Sequence, residues 1–599
     1  MDVGHYGRRG PADEPVTGRG FVMTTSPLQE ERRVSDAIVS VLAEAGVGFV
    51  LGMPGGYTGP IFSSLHGHPT IRTVQVREES IGATMAEAYG RLTGKPLVVM
   101  GQGEWIAGNA GQGFLEALLG SSPIVILTEM SDGGALSHHA PYQSGTGDYG
   151  TWDARGALAG VTKRVMVSHD PVQAVQHTQL ALKHALTGEP GPVAVIFHGQ
   201  ALRGRVGPAS VPKIYPTTAY LPRPSSALDA DALAGAVAAL DGAARPVIIA
   251  GNGVRVGQAC GALAAVAQAL DAPVVTTASG KGVFDETDPR AAGVMGPFGW
   301  PSANEVLGGA DVVLAVGTKL GPHDTADETT DLLDPSRQTL IQVDIEPLNA
   351  AWTYPAEHVL VGDAGVVLNR LVDDLAPASR PRTAAARAAE AIGRYAELEA
   401  PEFGADDTPL LPQRVISVLH ETFPDDATVS CDAGENRLFM MHWYRSRTPG
   451  RYLQPAAGGG MGYAVPAAMA AKLAFPDRPS LAVCGDGGFA MSIHALMTAL
   501  QEGLPIGVLV LNNGALGWVL HGMGEKAVAA GFDPFDQAAI ARSLGCDGVR
   551  AETVSDLRDA LKAFPDATKP FVIDVPTSLA TSFRDVTQDI ATQRRDTGY

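Results

Sequence analysis

Cysteine is scarce in this chain. Four residues of 599 (Cys260, Cys431, Cys484 and Cys546) lie far apart and form no CxxC pair. That excludes a disulfide framework, argues against a structural zinc site and points to a reducing compartment. Long apolar runs are missing as well: no stretch approaches the roughly 18 residues a membrane helix needs. Basic residues are outnumbered, 44 Lys and Arg against 64 Asp and Glu, for a formal charge of −20. Neither nucleic acid nor an anionic membrane has an electrostatic footing on such a surface. A negatively charged ligand has to be held locally, by backbone amides, a helix terminus or a metal. Residues 1–28 are polar and rich in Gly, Pro and Arg, without the apolar segment of a signal peptide. They read as a flexible extension, with Met23 as an alternative start, and the protein is expected in the cytoplasm.

What remains is a chain too long for one core. From about residue 30 amphipathic helices alternate with short apolar strands such as "GFVLGM", "PLVVMG" and "PIVILTE", the pattern of parallel α/β sheets. The first block spans 29–200 and a proline-rich linker 201–226. A second block spans 227–376, a linker with a charged helix 377–409, a third block 410–578 and a tail 579–599. "GPVAVIF" closes the first block and "KPFVIDVP" the third, each after a helix. This echo suggests one α/β domain duplicated around a different middle one.

The chemistry starts at "LAVCGDGGFAM", residues 481–491, where an aspartate stands among glycines at the end of an apolar strand. Gly and Asp are also what an ordinary turn uses. Downstream, "IGVLVLNNGALGW" is a second apolar strand ending in Asn512 and Asn513, with a helix between the two. Strand, helix and parallel strand bring both polar clusters to the carboxyl edge of one sheet, where open α/β sheets bind ligands. Asp486 and Asn513 then offer two hard oxygens to one point, which suits Mg²⁺ or Ca²⁺. The glycines let a diphosphate approach the amides that open the following helix.

"GDGGF" followed by "NN" resembles the thiamine diphosphate and Mg²⁺ motif. From about residue 30 to 578 the chain is similar to the acetolactate synthase, pyruvate oxidase and pyruvate decarboxylase group. The resemblance implies three doubly wound parallel-sheet α/β domains: pyrimidine-binding, central Rossmann-like and diphosphate-binding. It implies Asp486, Asn513 and the Ala515 carbonyl as metal ligands, with Gly487 and Gly488 along the diphosphate and Leu516 against the cofactor. "DAGENRLFMMHWY" is similar to the segment that meets the diphosphate, here Gly434, Glu435 and Asn436. In "AAGGGMGYAVPAA", Met461 matches the apolar wedge under the bent cofactor and Gly459 the carbonyl on its aminopyrimidine; by pattern alone Met461 reads as core. Ten residues before Tyr89, Glu79 matches the glutamate that shares a proton with the pyrimidine ring, though a Glu at a helix start is also an ordinary first-turn charge. In that family Glu79 and the metal motif of one site come from different subunits, which implies a homodimer or a dimer of dimers.

The reaction is less sharply drawn. "LSHHAPYQSGTGDYGTW" resembles the His-His stretch of 2-oxo acid decarboxylases, making His138 and His139 candidate proton relays or else two solvated loop residues. Against a simple decarboxylase, "PGGYTG" has no acid after Pro-Gly but Tyr57 and Thr58, and "NNGALGWVL" resembles the acetolactate synthase form, with Val519 where decarboxylases carry a glutamate. Ala495 replaces a common glutamate beside His494, and "GQGEWIAGNAGQG" departs from the family's stretch beside the substrate, which puts pyruvate as donor in doubt. The expectation is a carboligase that decarboxylates a 2-oxo acid and adds the acyl carbanion equivalent to a second carbonyl. Non-oxidative decarboxylation, 2-hydroxyacyl-CoA cleavage or acyl transfer, an inactive cofactor-binding partner subunit and a dinucleotide oxidoreductase stay open. "AGNGV", "MGPFGW", "AVGTKL" and "QVDIEP" resemble FAD-holding segments, with Lys319 where an arginine is usual. The central block is left either empty or holding FAD or an ADP-containing ligand.

Overall fold

The computed structural model describes residues 26–131, 143–222, 228–376, 383–396, 398–533 and 535–587. Their architecture is three six-stranded parallel sheets, each with helices on its faces. The first sheet contains Phe49–Gly52, Arg72–Gln75, Leu97–Met100, Ile124–Met130, Arg164–Ser168 and Pro192–His198. Numbered along the chain, these strands lie side by side in the order 2-1-3-4-6-5. The third sheet contains Thr428–Cys431, Tyr452–Leu453, Ser480–Gly485, Gly507–Asn512, Asp547–Arg550 and Phe571–Pro576, and its order is again 2-1-3-4-6-5. The middle sheet contains Pro246–Ala250, Val274–Thr276, Ala291–Val294, Val312–Val316, Thr339–Asp344 and His358–Val361. It runs 3-2-1-4-5-6, the order of dinucleotide-binding folds. The fold is therefore the three-domain α/β architecture, with the outer two units sharing one topology.

Strands buried on both faces explain the unbroken apolar runs: Ile124–Met130 is buried at every position. The outer units meet through equivalent helices, Glu79–Thr93 and Ala464–Ala474, each lying between the second and third strand of its sheet. Both are rich in Ala and buried almost all round, as a helix enclosed on every side must be. Among the described residues no helix is long and apolar enough to cross a membrane.

At the carboxyl end of that first helix the three units share one buried cation. The Arg91 guanidinium donates to Glu87 Oε1 (3.2 Å), to the Gln454 carbonyl (2.8 Å), to Tyr463 Oη (3.3 Å) and to Asn252 Oδ1 (3.3 Å). Tyr463 Oη in turn donates to Glu87 Oε2 (2.8 Å), and Asn252 Nδ2 to the Gly120 carbonyl (2.8 Å). Burial raises the Glu87 carboxyl above its ordinary range, while Arg91 pulls it down. A second junction joins the middle and third units: His442 Nε2–H donates to the Phe298 carbonyl (3.0 Å) and Trp300 Nε1–H to the His442 carbonyl (3.2 Å).

Removing Arg91 leaves Glu87 buried and uncompensated. Arg91→Met is expected to cost about 3–5 kcal/mol, read from the denaturant unfolding midpoint, with Glu87→Gln/Arg91→Met recovering part of it. A single variant as stable as the parent would contradict this. Burial also holds the His442 imidazole down to about 4, below its ordinary 6.5. The unfolded chain then takes up this proton first, so stability present above pH 6.5 drains away as pH falls toward 4. At pH 5 the loss is about 2 kcal/mol relative to pH 7, and His442→Gln should lack it. Parallel stability profiles for parent and variant would refute the assignment.

Candidate active site

Ser480–Gly485 and Gly507–Asn512 are neighbouring parallel strands, with Gly485 opposite Leu511, so Asp486 and the Asn513–Ala515 loop emerge side by side. The helix Asp486–Ser492 begins at the aspartate itself, with no turn between it and the strand. Asp486 is 5% exposed; its Oδ1 accepts from the Gly487 N–H (2.8 Å) and its Oδ2 from the Gly514 N–H (2.7 Å). It makes no ion pair among the described residues, and burial, together with the nearby Asp574 charge, pushes its carboxyl above the ordinary range. A buried carboxylate short of positive charge is what a bound cation would complete.

The two asparagines divide their work. Asn512 Nδ2 donates to Asp574 Oδ1 (2.9 Å) and to the Phe535 carbonyl (3.1 Å), which fixes the strand end. Asn513 Oδ1 accepts from the Ala515 N–H (3.0 Å), shaping the loop beside Asp486. No group of three or more His, Cys, Asp or Glu able to hold a metal occurs among the described residues. The Asp486 carboxylate and the Asn513 amide are oxygen donors, a chemistry that suits Mg²⁺ rather than zinc.

Around this point the backbone is bare. A Cβ on Gly487 would come within 3.1 Å of Met461 Cε and 3.2 Å of Leu516 Cδ2, and one on Gly488 within 2.5 Å of Asp432 Oδ2. Gly434 caps the helix Glu435–Trp443 at φ +100°, and Gly459 sits at φ +67°. The Asn436 side chain donates to the Asp432 carbonyl (2.9 Å). The Gly459 loop is held from the first unit: Glu116 accepts from the N–H groups of Ala456, Ala457 (3.0 Å) and Gly459 (3.1 Å). Glu435, one of the expected diphosphate-contacting residues, has its carboxylate engaged within the chain. Its Oε1 meets His521 Nδ1 (2.7 Å) and the Phe583 N–H (2.8 Å), since an anionic side chain is drawn to an imidazole and an amide rather than to a second anion.

Glu79 opens its helix at 2% exposure, with Oε2 accepting from Asn109 Nδ2 (3.0 Å). Among the described residues no hydrogen bond or ion pair joins it to Asp486 or Asn513. Its neighbour Glu78 caps the helix and stands 3.7 Å from His494 Nε2. His138 and His139 lie outside the described residues. Tyr57 packs against Gly199 and under Arg203, Thr58 Oγ1 turns onto the Gly55 carbonyl (2.8 Å), and Lys319 pairs with Glu189 (2.8 Å).

A cavity of about 170 Å³ lies between the middle and third units, where segments quoted from both meet. Phe298, His323 and Asp324 line one side and Gly434, Arg437, Gly459 and Trp518 the other, so it opens beside the two glycines matched to the cofactor. Its residues come from several stretches of the chain, between Ala278 and Trp518, and only the folded chain assembles them.

Comparison with known proteins follows the same three-part division. Residues 32–147 match the N-terminal TPP binding domain of thiamine pyrophosphate enzymes, 233–371 the central domain and 432–575 the C-terminal TPP binding domain. The acetolactate synthase large subunit of Parasynechococcus marenigrum is 31% identical over 90% of this chain and 86% of its own length. That of Corynebacterium glutamicum is 31% identical over 94% and 89%. A probable 2-ketoarginine decarboxylase of Pseudomonas aeruginosa is 32% identical over 90% and 93%. With all three domains matched in order and the bare, cation-deficient strand end in place, the chain belongs to the thiamine pyrophosphate enzyme family, in the group of the acetolactate synthases, and is a thiamine pyrophosphate-dependent enzyme.

Proposed function

We propose that the enzyme uses thiamine diphosphate and Mg²⁺ to decarboxylate a 2-oxo acid and transfer the acyl carbanion equivalent to a second carbonyl compound. The observation that carries the reading is Asp486: a buried carboxylate without a cation, at a strand end, beside an amide-bearing loop. When bound, the cofactor supplies the carbanion and the electron sink. Asp486, Asn513 and the Ala515 carbonyl would hold the metal, and the amides at Gly487 and Gly488 would receive the diphosphate. Gly434 and Asn436 would stand along that diphosphate, while Met461 and Leu516 give the cofactor an apolar support. The Gly459 carbonyl would accept from the aminopyrimidine, steadied by the Glu116 clamp on its loop.

Glu79 is the proton carrier in this reading. Asn109 occupies its Oε2, which leaves Oε1 to exchange a proton with the pyrimidine ring. His138 and His139 serve as relays at the substrate. Because no hydrogen bond or ion pair among the described residues joins Glu79 to the metal loop of its own chain, a second copy supplies the opposite half of each site in this reading. Trp105, on the helix that carries Asn109, is 47% exposed and Met491, on the helix of Asp486, 56%, as surfaces awaiting such a partner would be. A second reading, decarboxylation without an acceptor, is supported by the Pseudomonas relative.

Glu79→Gln is expected to lower turnover of 2-oxo acids by about 10²–10⁴-fold while cofactor affinity, measured by calorimetry, persists. Dialysis against EDTA should abolish activity, and adding back both Mg²⁺ and thiamine diphosphate should restore it. Activity untouched by complete removal of the two would end the proposal. Product analysis decides the branch: a hydroxy-ketone marks carboligation, a free aldehyde simple decarboxylation.

A further inference from the structure

The cavity between the middle and third units holds two unspent charges. Among the described residues the Arg437 guanidinium makes no hydrogen bond and no ion pair, and its Nε is buried without a partner. Its Nη1 lies close to Gly459, 3.9 Å from where a Cβ would stand. Across the cavity Asp324 accepts from the Ala278 N–H (3.3 Å) through Oδ1, and no hydrogen bond or ion pair engages Oδ2. Asp324 and Arg437 are both in the wall, yet they are not paired with each other. The other walls are apolar or aromatic: Met295, Phe298, Met441 and Trp518, with Phe298 and Trp518 5.7 Å apart.

A half-buried cation and a half-buried anion face this one cavity without meeting, an arrangement that a ligand carrying both charges would complete. Resting on the reading that the enzyme takes a 2-oxo acid, we infer that this cavity selects a 2-oxo acid whose side chain ends in a cation. Its carboxylate faces Arg437, its guanidinium or ammonium faces Asp324, and its methylene stem lies along Phe298 and Trp518. Arg437 stands on the side of Gly434 and Gly459, so the reacting end of the substrate is next to the cofactor residues and the charged tail points into the middle unit. Aromatic faces beside Asp324 favour a planar guanidinium over a hydrated ammonium.

The test uses a pair of unreactive acids that lack the ketone and differ by one charge at the tail: 5-guanidinopentanoate, whose tail is a cation, and 5-ureidopentanoate, whose tail is neutral. Calorimetry on the holoenzyme should show the guanidino acid binding about 10- to 100-fold more tightly. Asp324→Asn should erase that preference while leaving the ureido affinity within about threefold, and Arg437→Gln should weaken both acids alike. Equal affinities for the two acids on the parent enzyme would overturn the inference without any variant, as would a preference that survives Asp324→Asn. Turnover is scored separately with 5-guanidino-2-oxopentanoate and pyruvate. A charge preference in binding with no turnover of any 2-oxo acid sinks the proposed reaction and leaves the cavity assignment standing. Turnover of pyruvate with no charge preference does the reverse.

Discussion

One buried guanidinium holds the three units of this chain in register. Arg91 stands where the first unit ends its central helix, where the third presents Tyr463 and the Gln454 carbonyl, and where the middle unit presents Asn252. Bringing a cation there is worthwhile only because a carboxylate, a phenol, a carbonyl and an amide converge on it. A planar donor with five N–H groups can serve several directions at once, which an ammonium on a flexible stem would do less well. The same helix starts at Glu79 and ends at Arg91, so the group assigned to proton transfer and the hub of the domain junction are fixed by one rigid element.

Some buried charges are paired within the chain and others are held by amides alone. Lys281 meets Glu286, Lys319 meets Glu189, and Glu435 meets His521. Asp486, by contrast, is an enclosed anion with no cation, and Arg437 a partly enclosed cation with no anion. The first suits a metal and the second a carboxylate. In the proposed reading these are the two points at which small charged molecules complete the site.

The sequence made some of this legible and hid the rest for physical reasons. The central strands announced themselves as unbroken apolar runs because both their faces are covered. Arg164–Ser168, Ala291–Val294, His358–Val361, Tyr452–Leu453 and Asp547–Arg550 did not, being sheet edges that are very short or carry mixed, half-exposed residues. Asp486 and Asn513 could be paired from spacing, since a strand-helix-strand unit dictates that their ends meet. Glu435 could not be placed, because the partners that turn its carboxylate, His521 and Phe583, are remote in the chain. Nothing in the sequence pairs Asp324 with Arg437, although Arg437 lies within "DAGENRLFMMHWY". Their meaning lies in being near each other without touching, which is a property of the packed units and not of either segment.

The outer units repeat one strand order and join through the same helix of each, Glu79–Thr93 against Ala464–Ala474. Such an arrangement is what two copies of a single-unit protein produce when they associate about a twofold axis. Once both halves sit on one chain, that symmetry is no longer binding, and each copy is free to specialise. One half has kept an acid at the start of its helix and the other a metal-type loop at its strand ends. Division of labour between duplicated halves, more than any single residue, is the inheritance this chain displays.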